Sequence, residues 1–154
     1  MSRSKRLNMV LEIAERAENK AAEAFEMARR LWQDDQEKMA DLQRYYQDYE
    51  TAFTQPSMRM RAQDIAQQRS FLQQLAEAVR QQQQIVERRK SIADAKQKDW
   101  RIAHLKRRAL QELVARVRAD EQRVLSRKEE KMLDEWFNQT AQRRAEAGQR
   151  PVEQ

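Results

Sequence analysis

Tyr49-Glu50-Thr51-Ala52-Phe53-Thr54-Gln55-Pro56-Ser57-Met58-Arg59-Met60 holds the one strong break in the body of this chain. The other proline, Pro151, and the only glycine, Gly148, both lie in the last seven of 154 residues. A proline inside a helix removes a backbone donor and clashes with the preceding turn. On either side of Pro56 the sequence is rich in Ala, Leu, Gln, Glu, Lys and Arg, which lose least on entering a helix. The reading is all-α: two long helices forming an antiparallel coiled-coil hairpin, helix 2 longer than helix 1. The expected boundaries are helix 1 over 5–53, a turn over 54–60, helix 2 over 61–146 and a disordered tail over 147–154, all within a single hairpin spanning 1–154.

Working outward, helix 1 carries a seven-residue repeat. Leu11, Phe25, Trp32, Met39, Tyr46 and Phe53 share one register, interrupted by Glu18. Ala14, Ala21, Ala28, Asp35, Leu42 and Tyr49 follow three residues later. These are the a and d positions of a coiled-coil seam. Val10, Ala17, Ala24, Leu31 and Tyr45 add a flanking apolar row. In helix 2, Ile65, Leu72, Val79, Val86, Ala93 and Trp100 recur every seven residues, with Phe71, Ala78, Ile85 and Ile92 beside them. Beyond Trp100 the apolar positions become Ala103, Leu110, Val117 and Val124, read as a stutter in the repeat. Folding at 54–60 pairs residue i with about 114 − i. Ala14 then meets Trp100, Ala21 meets Ala93 and Ala28 meets Val86. Residues from about 110 to 147 are left without an intrachain partner. Asp35, Lys38, Gln68, Gln82 and Arg89 are polar core positions, which weaken a seam but fix its register.

Composition excludes much. Charged residues make up 36% and aromatics 6%, and mean hydropathy is −1.10. That is too polar for an ordinary compact core and typical of long helices. There are no cysteines, hence no disulfides or thiolate sites. The basic start, Met1 to Arg6, is not followed by an apolar segment, and no run approaches a membrane span. The expected location is cytoplasmic. Net charge is +6. It is concentrated in 80–108, where 10 basic residues face 3 acidic ones. Such a stretch suits nucleic acid, an acidic protein partner or a solvated helix face.

Chemistry is sparse. One histidine, His104, cannot build a histidine metal cluster. One glycine permits neither a phosphate-cradling P-loop nor a dinucleotide turn. Glu129–Glu130 and Asp134–Glu135 read as surface charge, because nothing desolvates them. The chain is read as a non-enzyme without cofactor, metal or small-molecule substrate. Leu42, Tyr45, Tyr49, Phe71, Leu75 and Ala78 fall in one zone near the turn. Aromatic and aliphatic side chains gathered there suit protein docking, or a broadened core.

Arg6-Leu7-Asn8-Met9-Val10-Leu11-Glu12-Ile13-Ala14-Glu15 with Ala21-Ala22, Leu42-x-x-Tyr45-x-x-x-Tyr49, Gln68-Arg69-Ser70-Phe71-Leu72-Gln73-Gln74-Leu75-Ala76-Glu77-Ala78-Val79 and Arg127-Lys128-Glu129-Glu130-Lys131-Met132-Leu133-Asp134-Glu135 occur in this order along the chain. Together they resemble the FliJ family of flagellar type III export proteins. The resemblance implies a soluble coiled coil, similar to the stalk of rotary ATPases. It would insert into the hexameric flagellar export ATPase, promote its assembly, contact the membrane export-gate protein and handle export chaperones. It implies a monomer when alone, peripherally associated with the inner-membrane export apparatus and binding no nucleic acid. By the same resemblance Leu42, Tyr45, Tyr49, Phe71, Leu75 and Ala78 are the gate-contacting residues. A family glutamine is Lys38 here, and a family histidine is Gln82. The alternatives are a general scaffold, a coiled coil that oligomerises through 110–147, a nucleic-acid-associated coiled coil, or the injectisome counterpart.

Overall fold

The computed structural model describes residues 2–54 and 61–149. All of these except Ser2 and Arg61 are helical. Helix α1 runs Arg3–Thr54 and α2 runs Ala62–Gln149. Of the turn expected over 54–60, Thr54 ends α1 and 55–60 lie outside the described residues; of the tail expected over 147–154, 147–149 are helical and 150–154 lie outside them. Helix α2 continues to Gln149, past the end read at 146. The chain packs as two compact units, Ala14–Lys106 and the pair Met1–Ile13 with Arg107–Gln154.

Both ends of α1 and the start of α2 are satisfied locally. Ser2 caps α1: its Oγ accepts the Lys5 N–H at 3.3 Å and its carbonyl accepts that of Arg6 at 3.2 Å. At the other end, Thr51 Oγ1 donates to the Gln47 carbonyl at 2.8 Å and Thr54 Oγ1 to that of Thr51 at 3.0 Å. The Thr51 carbonyl belongs to the last turn, where carbonyls lack intrahelical partners, while the Thr51 hydroxyl makes an ordinary bond back to the preceding turn. Helix α2 opens on the Arg61 carbonyl, which accepts the N–H groups of Asp64 and Ile65. Asp64 sets a negative charge against the positive end of the helix.

In the larger unit the two helices run antiparallel. Asp35 is its central layer, only 8% exposed. Gln82 Nε2 donates to the Asp35 carbonyl at 2.8 Å and lies 3.4 Å from Oδ1, while Arg89 Nε donates to Oδ2 at 3.0 Å. Toward one end Glu18 Oε1 meets His104 Nδ1 at 2.9 Å, and that ring stacks on Trp100 at 5.0 Å. Toward the other, Tyr49 meets Phe71 edge-on at 4.9 Å.

These contacts correct the register. The turn-centred pairing puts Asp35 opposite Val79, Glu18 opposite Lys96 and Tyr49 opposite Ile65. The observed partners lie further along α2, on average by about one heptad. Interpolating between the Glu18 and Asp35 layers sets Ala28 against Ala93, two buried alanines at 7% and 3% exposure. Small facing residues let helices approach closely. Ala28 therefore does not face Val86, nor Ala21 Ala93.

Burial in α1 follows the expected a and d rows, with Glu18 filling its a position. Leu11 is buried; Phe25, Trp32, Met39, Tyr46 and Phe53 are half-buried, as are Leu72, Val79, Val86 and Trp100 in α2. Ile65, expected in the core, is 41% exposed. It lies one turn beyond the level of Phe53, the last a residue of α1. Lys38, another expected core position, is exposed. No large side chain is fully buried among the described residues, since two helices enclose only one face of each other.

Nor is there a stutter. The row from Leu72 to Trp100 continues through Arg107, Val114 and Glu121, all at least half-buried. Ala103, Leu110 and Val117 belong to the companion row of Leu75, Gln82 and Arg89. The apolar residues change rows while the repeat does not.

The smaller unit pairs the start of α1 with α2. Val114 is 3% and Val117 7% exposed. Glu121 accepts the Ser4 N–H at 3.1 Å and the Ser4 hydroxyl at 2.6 Å, closing the first turn of α1. Intrachain cover thus extends to about Glu121 rather than stopping near 110. From Gln122 to Gly148 every side chain but Thr140 is exposed.

The Ser4 bonds, with Arg118 and Arg3 nearby, hold the Glu121 carboxyl below its ordinary value of 4.5. A depressed carboxylate stabilises the folded form above its unfolded pKa and loses that effect as pH falls through the folded value. Amide protection factors in the first turn of α1, taken relative to intrinsic exchange at each pH, are therefore expected to fall below about pH 4.5, and Glu121→Gln to flatten that dependence. Asp35→Ala strips Arg89 of its carboxylate at a buried layer and is expected to cost about 1–3 kcal/mol in denaturant unfolding. Asp41→Ala, which removes the exposed Arg44–Asp41 pair at 2.9 Å, is expected to cost under ~0.5 kcal/mol.

Candidate partner-binding site

The register decides which side chains can reach solvent near the turn. With a at Tyr46 and Leu72 and d at Tyr49 and Leu75, two flanks run beside the seam. Residues preceding each a position (g) lie next to the d row, and residues four after it (e) lie next to the a row. Antiparallel pairing brings g rows together on one side and e rows on the other.

The structure shows both flanks in the larger unit. Tyr49, Phe53, Asp64, Gln67, Gln68 and Phe71 line a depression on the g side. Gln43, Tyr46, Gln47, Ala76 and Val79 line another on the e side. Both open to solvent between the helices.

Five of the six residues expected to form a docking zone carry a substantial apolar side chain. Tyr45 is 58% exposed, Phe71 42% and Tyr49 39%. Leu42, Leu75 and Ala78 are half-buried. Tyr49 joins the two helices, touching Phe71 across the gap at 4.9 Å and Phe53 on its own helix at 5.8 Å. Edge-to-face geometry of this kind adds about 0.5–1.5 kcal/mol beyond area. Tyr49 thus serves the seam with one edge and presents the other. Tyr45 has no ring partner among the described contacts. Large aromatic side chains, half exposed and pre-positioned on helices, are the usual anchors of protein recognition.

Three polar contacts were not foreseen from sequence: the Glu18–His104 pair, the Ser4–Glu121 clasp and the two-sided hold on Asp35. A glutamate at an a position signalled the first, since a charge inside a seam needs a partner. Elsewhere charges pair along one helix. Arg29 donates to Glu26 at 2.8 Å and holds its carboxyl below the ordinary value. Among the described residues no group of three or more His, Asp or Glu is placed to hold a metal ion, and no helix is long and apolar enough to cross a membrane.

The family model described as "Flagellar FliJ protein" matches residues 3–146. The chain belongs to that family and is a component of flagellar type III export. No curated protein and no solved structure matches it.

Proposed function

For a member of the flagellar FliJ family, we propose a stalk-like coupling role in the export apparatus. The chain binds the export ATPase ring, promotes its assembly and activity, and connects it to the membrane export gate. It also handles export chaperones, works from the cytoplasm at the inner-membrane apparatus, and is monomeric alone. The observation that carries this reading is the zone of Tyr45, Tyr49 and Phe71, exposed at 58%, 39% and 42%. With Leu42, Leu75 and Ala78 it forms the gate-docking surface. A stalk needs long uninterrupted helices, and α1 and α2 have 52 and 88 residues.

The basic stretch favours a protein partner over nucleic acid. Arg89 is committed to Asp35. Arg80, Arg88, Lys90, Lys98, Arg101 and Arg108 are exposed on several different rows of α2 rather than one. A duplex reads a stripe, whereas charge spread around a helix solvates it.

Purified protein added to the flagellar export ATPase is expected to raise its turnover and its hexamer fraction. Tyr45→Ala/Phe71→Ala is expected to lose capture of the gate's cytoplasmic region while keeping its helical circular dichroism. Unchanged ATPase behaviour would refute the stalk role. Unchanged capture would return these side chains to the seam.

A further inference from the structure

The two flanks of the larger unit differ in chemistry along their length. On the g side, α1 presents Leu31, Lys38 and Tyr45, and α2 presents Phe71, Ala78, Ile85 and Ile92. Leu31 is 40% and Ile92 48% exposed. On the e side the same levels carry Arg29, Gln36 and Gln43 from α1, and Gln83, Lys90 and Gln97 from α2, with Ala76 alone apolar. Scattered exposed apolar residues are normal on any surface. Here the opposite flank of the same hairpin is the control, and it is polar.

A helix with apolar a and d rows makes a two-helix seam. One with a third apolar row on a single side is patterned for a third helix. Both helices have that third row, and antiparallel pairing puts the two rows side by side. From Leu31 to Tyr49 and from Phe71 to Ile92 the flank is about 20 residues on each helix, or ~30 Å. Its margin on α1 is acidic: Asp34, Asp41 and Asp48 recur every seven residues and are exposed, Asp41 also pairing with Arg44 at 2.9 Å on its outer side. This margin stands out on a chain of net charge +6.

We infer that this flank seats an amphipathic helix of about five turns, with an apolar face and a basic edge, supplied by the export-gate protein. The inference rests on the gate-docking reading and extends its surface away from the turn to Leu31, Ile85 and Ile92. The apolar face covers Leu31, Tyr45, Phe71 and Ile92, completing a three-helix layer. The basic edge lies along Asp34, Asp41 and Asp48. Lys38, between two aspartates one turn either side, takes an acidic residue or backbone carbonyl of the incoming helix.

The test uses the full chain and the purified cytoplasmic region of the gate protein. Leu31→Glu/Ile92→Glu alters two half-exposed positions, and Asp34→Lys/Asp41→Lys alters only exposed ones, so the second pair keeps the test valid should the first disturb folding. Each is expected to weaken binding by about tenfold or more. Gln36→Glu/Gln83→Glu on the opposite flank is expected to bind as the parent does. Hydrogen exchange of the gate is expected to show one continuous protected stretch of about 20 residues. Normal binding by both flank variants, alongside loss in Tyr45→Ala/Phe71→Ala, would overturn the extended seat and leave gate docking standing. Absence of binding by the parent chain would overturn both. Equal weakening by the opposite-flank variant, or gate protection confined to a short loop, would refute the helix seat.

Discussion

A single carboxylate sets the geometry of the hairpin. Asp35 is 8% exposed at a d position, where an apolar residue packs best, and it is met by both Gln82 and Arg89. A seven-residue repeat has no intrinsic register, because sliding one helix by a heptad restores the same a and d contacts. A buried charge restricts that freedom, since sliding α2 to the turn-centred register sets Leu75 in place of Gln82, and Gln82 in place of Arg89, beside Asp35 and leaves the carboxylate without its cation, at a cost of several kcal/mol. Holding Asp35 against Gln82 and Arg89 sets Ala28 against Ala93 and keeps Tyr49 within reach of Phe71. It also brings the apolar flanking rows of the two helices to the same level.

Two-helix packing leaves no large side chain fully buried among the described residues. Two helices bury one face each, so the larger unit has open grooves and half-buried aromatic rings. A site that desolvates a reacting group needs enclosing walls, and recognition needs only exposed, pre-positioned side chains. Membership of a flagellar export family fits this division. Polar layers at Asp35, Glu18–His104 and Ser4–Glu121 spend apolar seam positions on alignment. The aromatic side chains displaced toward the flank, Tyr45 and Phe71, stay exposed.

Much of this was legible in the residues. Pro56 and the scarcity of glycine give two helices, and the a and d rows of α1 match the burial pattern except at Tyr49, which is 39% exposed. The register was not legible, because counting from the turn requires its length, while heptads repeat without distinguishing one alignment from the next. Asp35, Gln82 and Arg89 were visible as polar seam residues, but which would pair depends on side-chain reach. The apparent stutter after Trp100 arose from composition. Arg107 interrupts the apolar run of one row just as Ala103 and Leu110 strengthen the other, and sequence alone cannot separate a change of row from a change of phase. Both rows that form the apolar flank were also visible. Their shared side follows only once antiparallel pairing and register are fixed together.

The alignment set by Asp35 underlies both the proposed docking zone and the apolar flank, and the absence of cysteine makes it directly measurable. Cysteine pairs placed at Ala28 and Ala93, and separately at Ala28 and Val86, are oxidised under mild conditions and scored for intramolecular disulfide on a non-reducing gel. Disulfides form only where Cα atoms come within about 7 Å. The account requires rapid cross-linking of Ala28→Cys/Ala93→Cys and none of Ala28→Cys/Val86→Cys. The reverse result would put the helices back in the turn-centred register and contradict the placement of every residue assigned to the partner-binding face.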